Sequence, residues 1–442
     1  MSVNTFVPFP AAGQNAATYR GSAIACLLLL ALPFTQLGFG FWTSVQGVMF
    51  LLVVIFIRKN MSRVEFLLFT VIALTMLLSL AGHLYADTLF YSFVRLVRQI
   101  IAMYIIVCAA TTVSWRPKPY FFDIILPIVV LALSGMVVAQ YVSYKVFGWS
   151  GLFVPASWFF GGLATLADRL IELGTVRGFV ADIRASGPFS EPSYFGFVAL
   201  SLGLLVVRGV QGRWLKVVLL GSLLVALVCS KSASGVPLFV LLVLFAYRAR
   251  LSALHWIGIV VAVAAGLATA ELLLDFHLVE RLINITDPVR EPSGYVRLVL
   301  PLKHIALVLQ HKPFGVPMSE FFTFTSRHTE AYSTGGFNPV ELIAGVSTGT
   351  DNGFLNLFLT QGVGALVVIG LFIFIVSDKL TLVYLLFVSQ FNGDILGPDK
   401  AAIIALAISC RRVVADAVLA RRAEVPRFTP PDAFGAMQPI RA

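Results

Sequence analysis

Residues 121–145 read FFDIILPIVVLALSGMVVAQYVSYK, with charges only at Asp123 and Lys145, near the two ends. A bilayer-spanning helix needs about 20 mostly apolar residues, and this run supplies them without the alternation of a barrel strand. Similar runs recur along the chain. The candidate spans are 21–39, 41–57, 66–83, 89–114, 121–145, 190–207, 215–230, 235–247, 254–273, 353–377, 380–392 and 400–413. Several of these are short, and 380–392, the weakest of them, also reads as a re-entrant or tilted element. Of the 442 residues, 58% are hydrophobic and 12% charged, and the mean hydropathy is +0.90. A soluble domain carries about 25% charged residues, so the soluble, disordered and fibrous classes are excluded. The expected fold is an all-α polytopic membrane protein of about 12 transmembrane helices.

The net charge of +10 does not indicate nucleic acid, because the basic residues lie between apolar runs and are explained by orientation in the bilayer. With the N-terminus inside, the inner segments hold 18 of the 32 Lys and Arg residues. Every short inner loop then has at least one, and the short outer loop 83–88 has none. Both termini are therefore expected on the cytoplasmic side. Residues 1–20 form an inner tail and 414–442 a Pro-containing disordered one. Residues 1–19 lack Lys and Arg, so the first apolar run reads as a retained helix rather than a cleaved signal. Cys26, Cys108, Cys229 and Cys410 all fall in or at the ends of apolar runs, with no metal-ligand spacing.

Two long segments, 146–189 and 274–352, then face outward, separated by the spans in 190–273. They carry Arg169, Arg177, Arg184, Arg281, Arg290, Arg297, Lys303, Lys312 and Arg327. Salt bridges to neighbours such as Asp168, Asp182 and Glu280 account for part of this charge, and an outer anionic ligand would account for the rest. Within the second segment, residues 294–311, GYVRLVLPLKHIALVLQH, set Val296, Leu300, Ile305, Leu307 and Val308 on an apolar surface interrupted by Arg297, Lys303, His304 and His311. That pattern predicts a helix lying along the membrane surface, kinked or restarted at Pro301. Residues 328–352, rich in Ser, Thr and Gly, read as a mobile flap.

Several residues carry chemistry. Arg95 and Arg98 share one face of a helix in the outer half of span 89–114, either snorkelling to headgroups or walling an outward cavity. The stretch Arg184-Ala-Ser-Gly-Pro-Phe-Ser-Glu-Pro-Ser-Tyr-Phe-Gly196 places Arg184, Ser190, Glu191, Ser193 and Tyr194 where loop becomes helix. Pro192 suits the first helical turn. A helix N-terminus attracts anions and Arg184 adds a bidentate donor, so this is a phosphate-binding corner or a polar cap. Lys231-Ser-Ala-Ser-Gly235 is an outer turn whose lysine joins that corner or serves the turn alone. Asp351-Asn352-Gly353 opens span 353–377 as a helix cap. His304, His311 and His328 are titratable near neutrality.

In order, Arg184–Gly196, Ser232–Gly235, Arg297–Gly315 with its His-Lys-Pro-Phe-Gly end, and Asp351–Leu355 followed by Gln361-Gly-Val-Gly364 resemble the bacterial O-antigen polymerase and O-antigen ligase superfamily. The resemblance covers about residues 180–370. It implies a bacterial inner-membrane glycosyltransferase with a large periplasmic loop. The enzyme would join undecaprenyl-diphosphate-linked repeat units at the periplasmic face into O-antigen, capsule or exopolysaccharide, a xanthan-type polymer included. It implies Arg184 and Arg297 as diphosphate ligands, joined by Arg98, Arg95 and Lys231, with no metal and no cofactor. Membrane lipids are further partners, and a chain-length regulator and an export complex are candidate ones. The ligases commonly place a histidine before the asparagine that opens the span after the long loop. Asp351 stands there in this chain, which favours a polymerase.

The chemistry is consistent with these residues. Preorganised arginines neutralise a diphosphate leaving group, and an acceptor hydroxyl needs a nearby carboxylate or histidine. Asp351, Glu191 and His328 are the expected catalytic candidates, with Asp182 and His304 behind them. No carboxylate cluster suited to Mg²⁺ and no paired histidine spacing suited to zinc is present in the outer segments. The alternatives are a ligase using the same chemistry, and a transporter or lipid flippase. Transporters tend to show repeats and midplane charges, whereas the charges here cluster on the outer side.

Overall fold

Pro192 starts the helix around which the others assemble. The computed structural model describes residues 14–39, 43–44, 63–81, 89–111, 117–149, 151–154, 184–189, 191–232, 234–248, 299–316, 324, 327–328, 352–376, 378–391 and 398–410, with the single positions 258, 265 and 283. Among them the helices are α1 (Gln14–Ala31, extended by a 3₁₀ turn Leu32–Phe34), α2 (Arg63–Ala81), α3 (Leu89–Thr111), α4 (Leu126–Phe147, preceded by a π turn Phe121–Ile125), α5 (Pro192–Gly209) and α6 (Arg213–Cys229). They continue with α7 (Gly235–Tyr247), α8 (Leu300–His311), α9 (Gly353–Gln361), α10 (Gly364–Ile375), α11 (Lys379–Val388) and α12 (Pro398–Ser409). The one strand pairing among the described residues joins Gly38 to Ser44 and Phe39 to Thr43. The chain is thus helical, as its composition requires.

Among the described residues, two stretches, Phe121–Phe147 and Pro192–Gly209, are long and apolar enough to cross a membrane. The expected first span, 21–39, is displaced: the helix starts at Gln14 and ends by Phe34. The expected single span 353–377 is in fact two helices, broken at Gly362, where the backbone takes φ +54° and ψ −130°. The segment 380–392 forms the ten-residue α11. Pro301 stands in the first turn of α8. The expected spans 41–57 and 254–273, the flap 328–352 and the tail 414–442 lie outside the described residues except at a few positions.

Helix α5 is enclosed almost all round: from Ser193 to Val206 every residue is buried. Its glycines admit the neighbours. A Cβ on Gly203 would stand 2.6 Å from the Phe239 ring, and one on Gly209 only 1.8 Å from Phe122. Those contacts and the hydrogen bonds fix the helix directions. Gly196 meets the turn before α7 and Gly203 meets Phe239 within it, so α5 and α7 run parallel. Arg208, at the end of α5, reaches the Ile408 carbonyl at the end of α12 at 3.4 Å, which makes α12 parallel too. Helix α4 runs the other way, because Phe122 meets Gly209 while Gln140 reaches Gly187 ahead of α5. Helix α11 is likewise antiparallel, with Tyr384 bonded to Ser201 at 2.7 Å midway.

The bundle therefore has an Arg208 end and a Glu191 end. At the first, Arg208 pairs with Asp378 and donates to Thr381 Oγ1 at 2.6 Å. Asp378 meanwhile caps α11, accepting the Leu380 and Thr381 amides at 3.3 Å. This locks α5, α11 and α12 together through the Arg208–Asp378 pair. The outward faces are apolar: Phe66, Leu67 and Leu74 on α2, Ile128 and Leu131 on α4, and Phe374 on α10 are exposed. Water disfavours apolar patches of this kind, whereas acyl chains accept them.

Candidate functional site

The Glu191 end is built from one buried amide outward. Gln140 is the only acid amide in the apolar run 121–145, and it is fully buried in α4. Its Oε1 accepts the backbone amides of Ser186 at 3.2 Å and Gly187 at 2.8 Å. Its Nε2 donates to the carbonyls of Gly187 at 2.8 Å and Leu152 at 3.0 Å. All four hydrogen-bonding positions of the side chain are used, which is why a polar group is tolerated there. The clamp holds a turn in which Gly187 has φ +67°, a conformation suited to glycine. Ser186 Oγ donates to the Phe189 carbonyl at 2.7 Å to close it. Arg184 is exposed at the head of this turn, and Ala185–Phe189 are buried.

Gln140→Leu removes both halves of the clamp at constant size. Each buried backbone group left without a partner costs on the order of 1–3 kcal/mol. The variant is expected to be several degrees less stable in detergent and to be cut faster by trypsin after Arg184. Unchanged cleavage and melting would show that the turn holds itself.

Glu191 occupies the N-cap position of α5 with extended backbone, and Pro192 sits in the first turn, as the sequence predicts. The Glu191 carboxylate does not cap; it accepts Ser193 Oγ at 2.8 Å. One turn later, a Cβ on Gly196 would lie 2.7 Å from the Phe391 ring and 3.2 Å from Ser232 Oγ. Ser232 follows Lys231, which is buried and has φ +49°, and Ser232 Oγ accepts the Gly235 amide at 3.2 Å to start α7. Phe391 in turn accepts Lys400 Nζ through its carbonyl at 3.4 Å, and Lys400 is buried at the start of α12.

Helix α9 begins at the same end. The Gly353 amide donates to the Ser389 carbonyl at 2.7 Å. Asn352 accepts the Leu355 amide at 3.1 Å and donates to Gln390 Oε1 at 2.9 Å. Helices α5, α7, α9 and α12 thus all point their N-termini, the positive ends of their dipoles, at one region. Two lysines buried there add to a potential that favours an anion.

The long outer segment is clasped to this bundle. Val316 N–H donates to the Leu359 carbonyl at 2.7 Å and Val363 N–H to the Pro313 carbonyl at 2.8 Å. The His-Lys-Pro-Phe-Gly and Gln-Gly-Val-Gly segments, which are 46 positions apart from Gly315 to Gln361, are therefore in direct contact. Val308, Val316, Phe324 and Leu359 form the small core between α8 and α9. His304 is fully buried on α8, and loss of hydration lowers its pKa to about 3. Burial keeps its imidazole neutral at physiological pH, enclosed in the α8–α9 packing. His328 Nδ1 lies 2.8 Å from the Phe324 carbonyl. A carbonyl only accepts, so that nitrogen carries the proton and the neutral ring keeps its lone pair on Nε2. The ring packs against His311 at 4.7 Å and Phe324 at 4.6 Å between centroids.

The structure thus gathers Glu191, Lys231 and the α9 cap around Gly196, with Arg184 at the head of the adjoining turn. Arg98 is exposed on α3, and Arg95 lies one turn before it. His328 sits with the α8 segment. Arg297 and Asp351 fall outside the described residues. Sequence reasoning missed Gln140, Gln390 and Lys400. The signal for the first was a lone amide in an apolar run, and for the last a lysine opening an apolar span. A family model described as WcaD colanic acid polymerase matches residues 23–413. No curated protein and no solved structure matches the chain.

Proposed function

The chain belongs to the WcaD colanic acid polymerase family, and on that premise we propose that it polymerises undecaprenyl-diphosphate-linked oligosaccharide repeat units at the periplasmic face of a bacterial inner membrane. Family membership makes it a membrane-associated, repeat-unit polymerase of exopolysaccharide synthesis. The lipid carrier, the face of the membrane, the multi-pass topology with both termini inside and the residue roles are our reading.

The observation that carries this reading is the convergence at the Glu191 end. Four helix N-termini and two buried lysines meet beside the turn headed by Arg184, on a bundle with apolar outer faces. A lipid diphosphate matches both features: its tail lies along the apolar faces and its headgroup at the cationic end. As the glycosidic bond breaks, negative charge grows on the diphosphate. Arg184 and Arg297 from the two outer segments, with Lys231, stabilise it without a metal. Asp351, beside the Asn352 cap, takes the proton of the attacking hydroxyl, with Glu191 and His328 as the other bases within the outer segments.

Deleting the gene and separating the glycans by electrophoresis tests the reading. Loss of long polymer with single repeat units remaining is expected. Long polymer persisting on the lipid carrier would mean a ligase instead, and an unchanged glycan would remove both. Purified protein given lipid-linked repeat units is expected to form polymer in excess EDTA. Activity that then requires one added metal would overturn the metal-free mechanism.

A further inference from the structure

An imidazole is a good metal ligand when its other ring nitrogen is already held by a carbonyl or carboxylate, which fixes both the tautomer and the direction of the lone pair. His328 meets that condition. Its Nδ1 donates to the Phe324 carbonyl at 2.8 Å, so Nε2 carries the lone pair. The Phe324 ring packs against the same imidazole at 4.6 Å between centroids and is itself buried with Val308, Val316 and Leu359 in the small core between α8 and α9. A hydrogen bond and a ring contact together hold the His328 ring in place.

A second imidazole stands beside it. His311, the last residue of α8, has its ring centre 4.7 Å from that of His328, with the rings tilted by 39°. Simple geometry says what two imidazoles on one ion require. Metal–nitrogen bonds of about 2.0–2.1 Å, with each ring centre about 1.1 Å beyond its nitrogen, put the centres about 4.5 Å apart at a right angle and about 5.2 Å apart at a tetrahedral one. The observed separation falls between the two. The histidines are 17 positions apart in the chain, so no local spacing announces the pair. His311 is exposed and His328 half-buried, which leaves them open to an ion from solution. Lys312 and Arg327, their neighbours in the chain, are exposed, and water and salt screen their repulsion of another cation.

We propose that His311 and His328 form a binding site for a borderline divalent transition-metal ion, of the zinc and nickel type, with water completing the coordination. Imidazole suits such ions, whereas Mg²⁺ and Ca²⁺ take oxygen ligands. Two imidazoles hold the ion more weakly than the full ligand set of a structural zinc site, so binding is reversible. A bound ion joins the end of α8 to the segment of Phe324 and His328, and steadies the α8–α9 core from outside. The ion takes no part in glycosyl transfer, and the proposal does not depend on the polymerase reading.

The test uses purified full-length protein in detergent, without a histidine tag, stripped with EDTA and desalted. Binding of Zn²⁺, Ni²⁺ and Mg²⁺ is measured by calorimetry, with melting temperature and chymotrypsin cleavage after the exposed Phe314 followed on the same samples. Zn²⁺ and Ni²⁺ are expected to bind with a single ion per chain, and Mg²⁺ to show no heat. His311→Ala and His328→Ala should each weaken Zn²⁺ binding at least tenfold. Lys312→Gln should leave it intact or tighten it, since a repelling charge is removed. Zn²⁺ is expected to raise the melting temperature of the wild type and slow its cleavage at least twofold, and to do neither in the histidine variants. Zn²⁺ binding at wild-type strength in either histidine variant would overturn the proposal, because both rings must share the ion. His311 is exposed at a helix end, so His311→Ala decides alone if His328→Ala does not accumulate. Binding through both histidines with unchanged melting and cleavage would refute the steadying role and leave the site standing.

Discussion

Gly362→Ala is expected to eliminate polymer formation and to release the outer segment from the bundle. The position is doubly constrained. Its φ of +54° with ψ −130° is a region open to glycine and strained by about 1–3 kcal/mol for other residues. A Cβ there would also stand 1.8 Å from the Pro313 carbonyl oxygen, a backbone atom with no side-chain freedom to retreat. The clasp must open, which breaks the Val363 to Pro313 hydrogen bond and strips the α8–α9 core of its alignment. A drop of at least tenfold in polymer, faster chymotrypsin cleavage after the exposed Phe314 and a lower melting temperature should appear together. Gly370→Ala is the control on the neighbouring helix α10, because a Cβ at Gly370 meets nothing within 4 Å. Gly in a helix interior is worse than Ala by about 0.5–1 kcal/mol, so the control should be neutral or slightly stabilising. Wild-type melting and activity in Gly362→Ala would show that the clasp has no part in function.

Asp351→Asn should reduce polymerisation by about 10²–10⁴-fold, the usual range for losing a general base, with normal protein level and melting temperature. The second half of this expectation follows from the cap. Asn352, not Asp351, accepts the Leu355 amide, and Asn352 is anchored to Gln390 besides. Helix α9 therefore starts in the same place whether residue 351 is charged or neutral. Asparagine matches aspartate in shape and cannot accept the acceptor sugar's proton. Glu191→Gln is the comparison, since a glutamine oxygen can still accept Ser193 Oγ as the carboxylate does. If Glu191→Gln is inactive and Asp351→Asn is not, the base is Glu191. Full activity in both would leave His328, whose Nε2 lone pair is set by the Phe324 carbonyl.

The helical class was legible in the chain because burying a backbone in lipid demands internal hydrogen bonding, and long apolar runs with sparse charge report that demand directly. Runs such as 121–145 and 190–207 reappear as helices within a few residues of their expected limits. Local chemistry was also legible: Pro192 and Pro301 in first turns and an asparagine cap before Gly353 are properties of three or four consecutive residues. The family resemblance rested on four short motifs in order, and the family match extends across 23–413.

What the sequence left open was everything that depends on two distant segments sharing a place. The Thr-Gln-Gly-Val-Gly stretch 360–364 did not by itself place a break in the span 353–377, because what fixes Gly362 is the Pro313 carbonyl packed against it. His304 read as a titratable surface residue until the α8–α9 contact enclosed it and held it neutral. Gln140 and Lys400 were not singled out by the sequence. Tertiary structure gave the first a buried turn to clamp and brought the second to Phe391, beside Gly196. Hydropathy and capping are written in adjacent residues, so sequence alone determined the helices and their starts. Burial and electrostatic environment are set by whichever elements pack together, so only the folded chain decided which polar side chains are caps, which are clamps and which cations lie out of water at the Glu191 end.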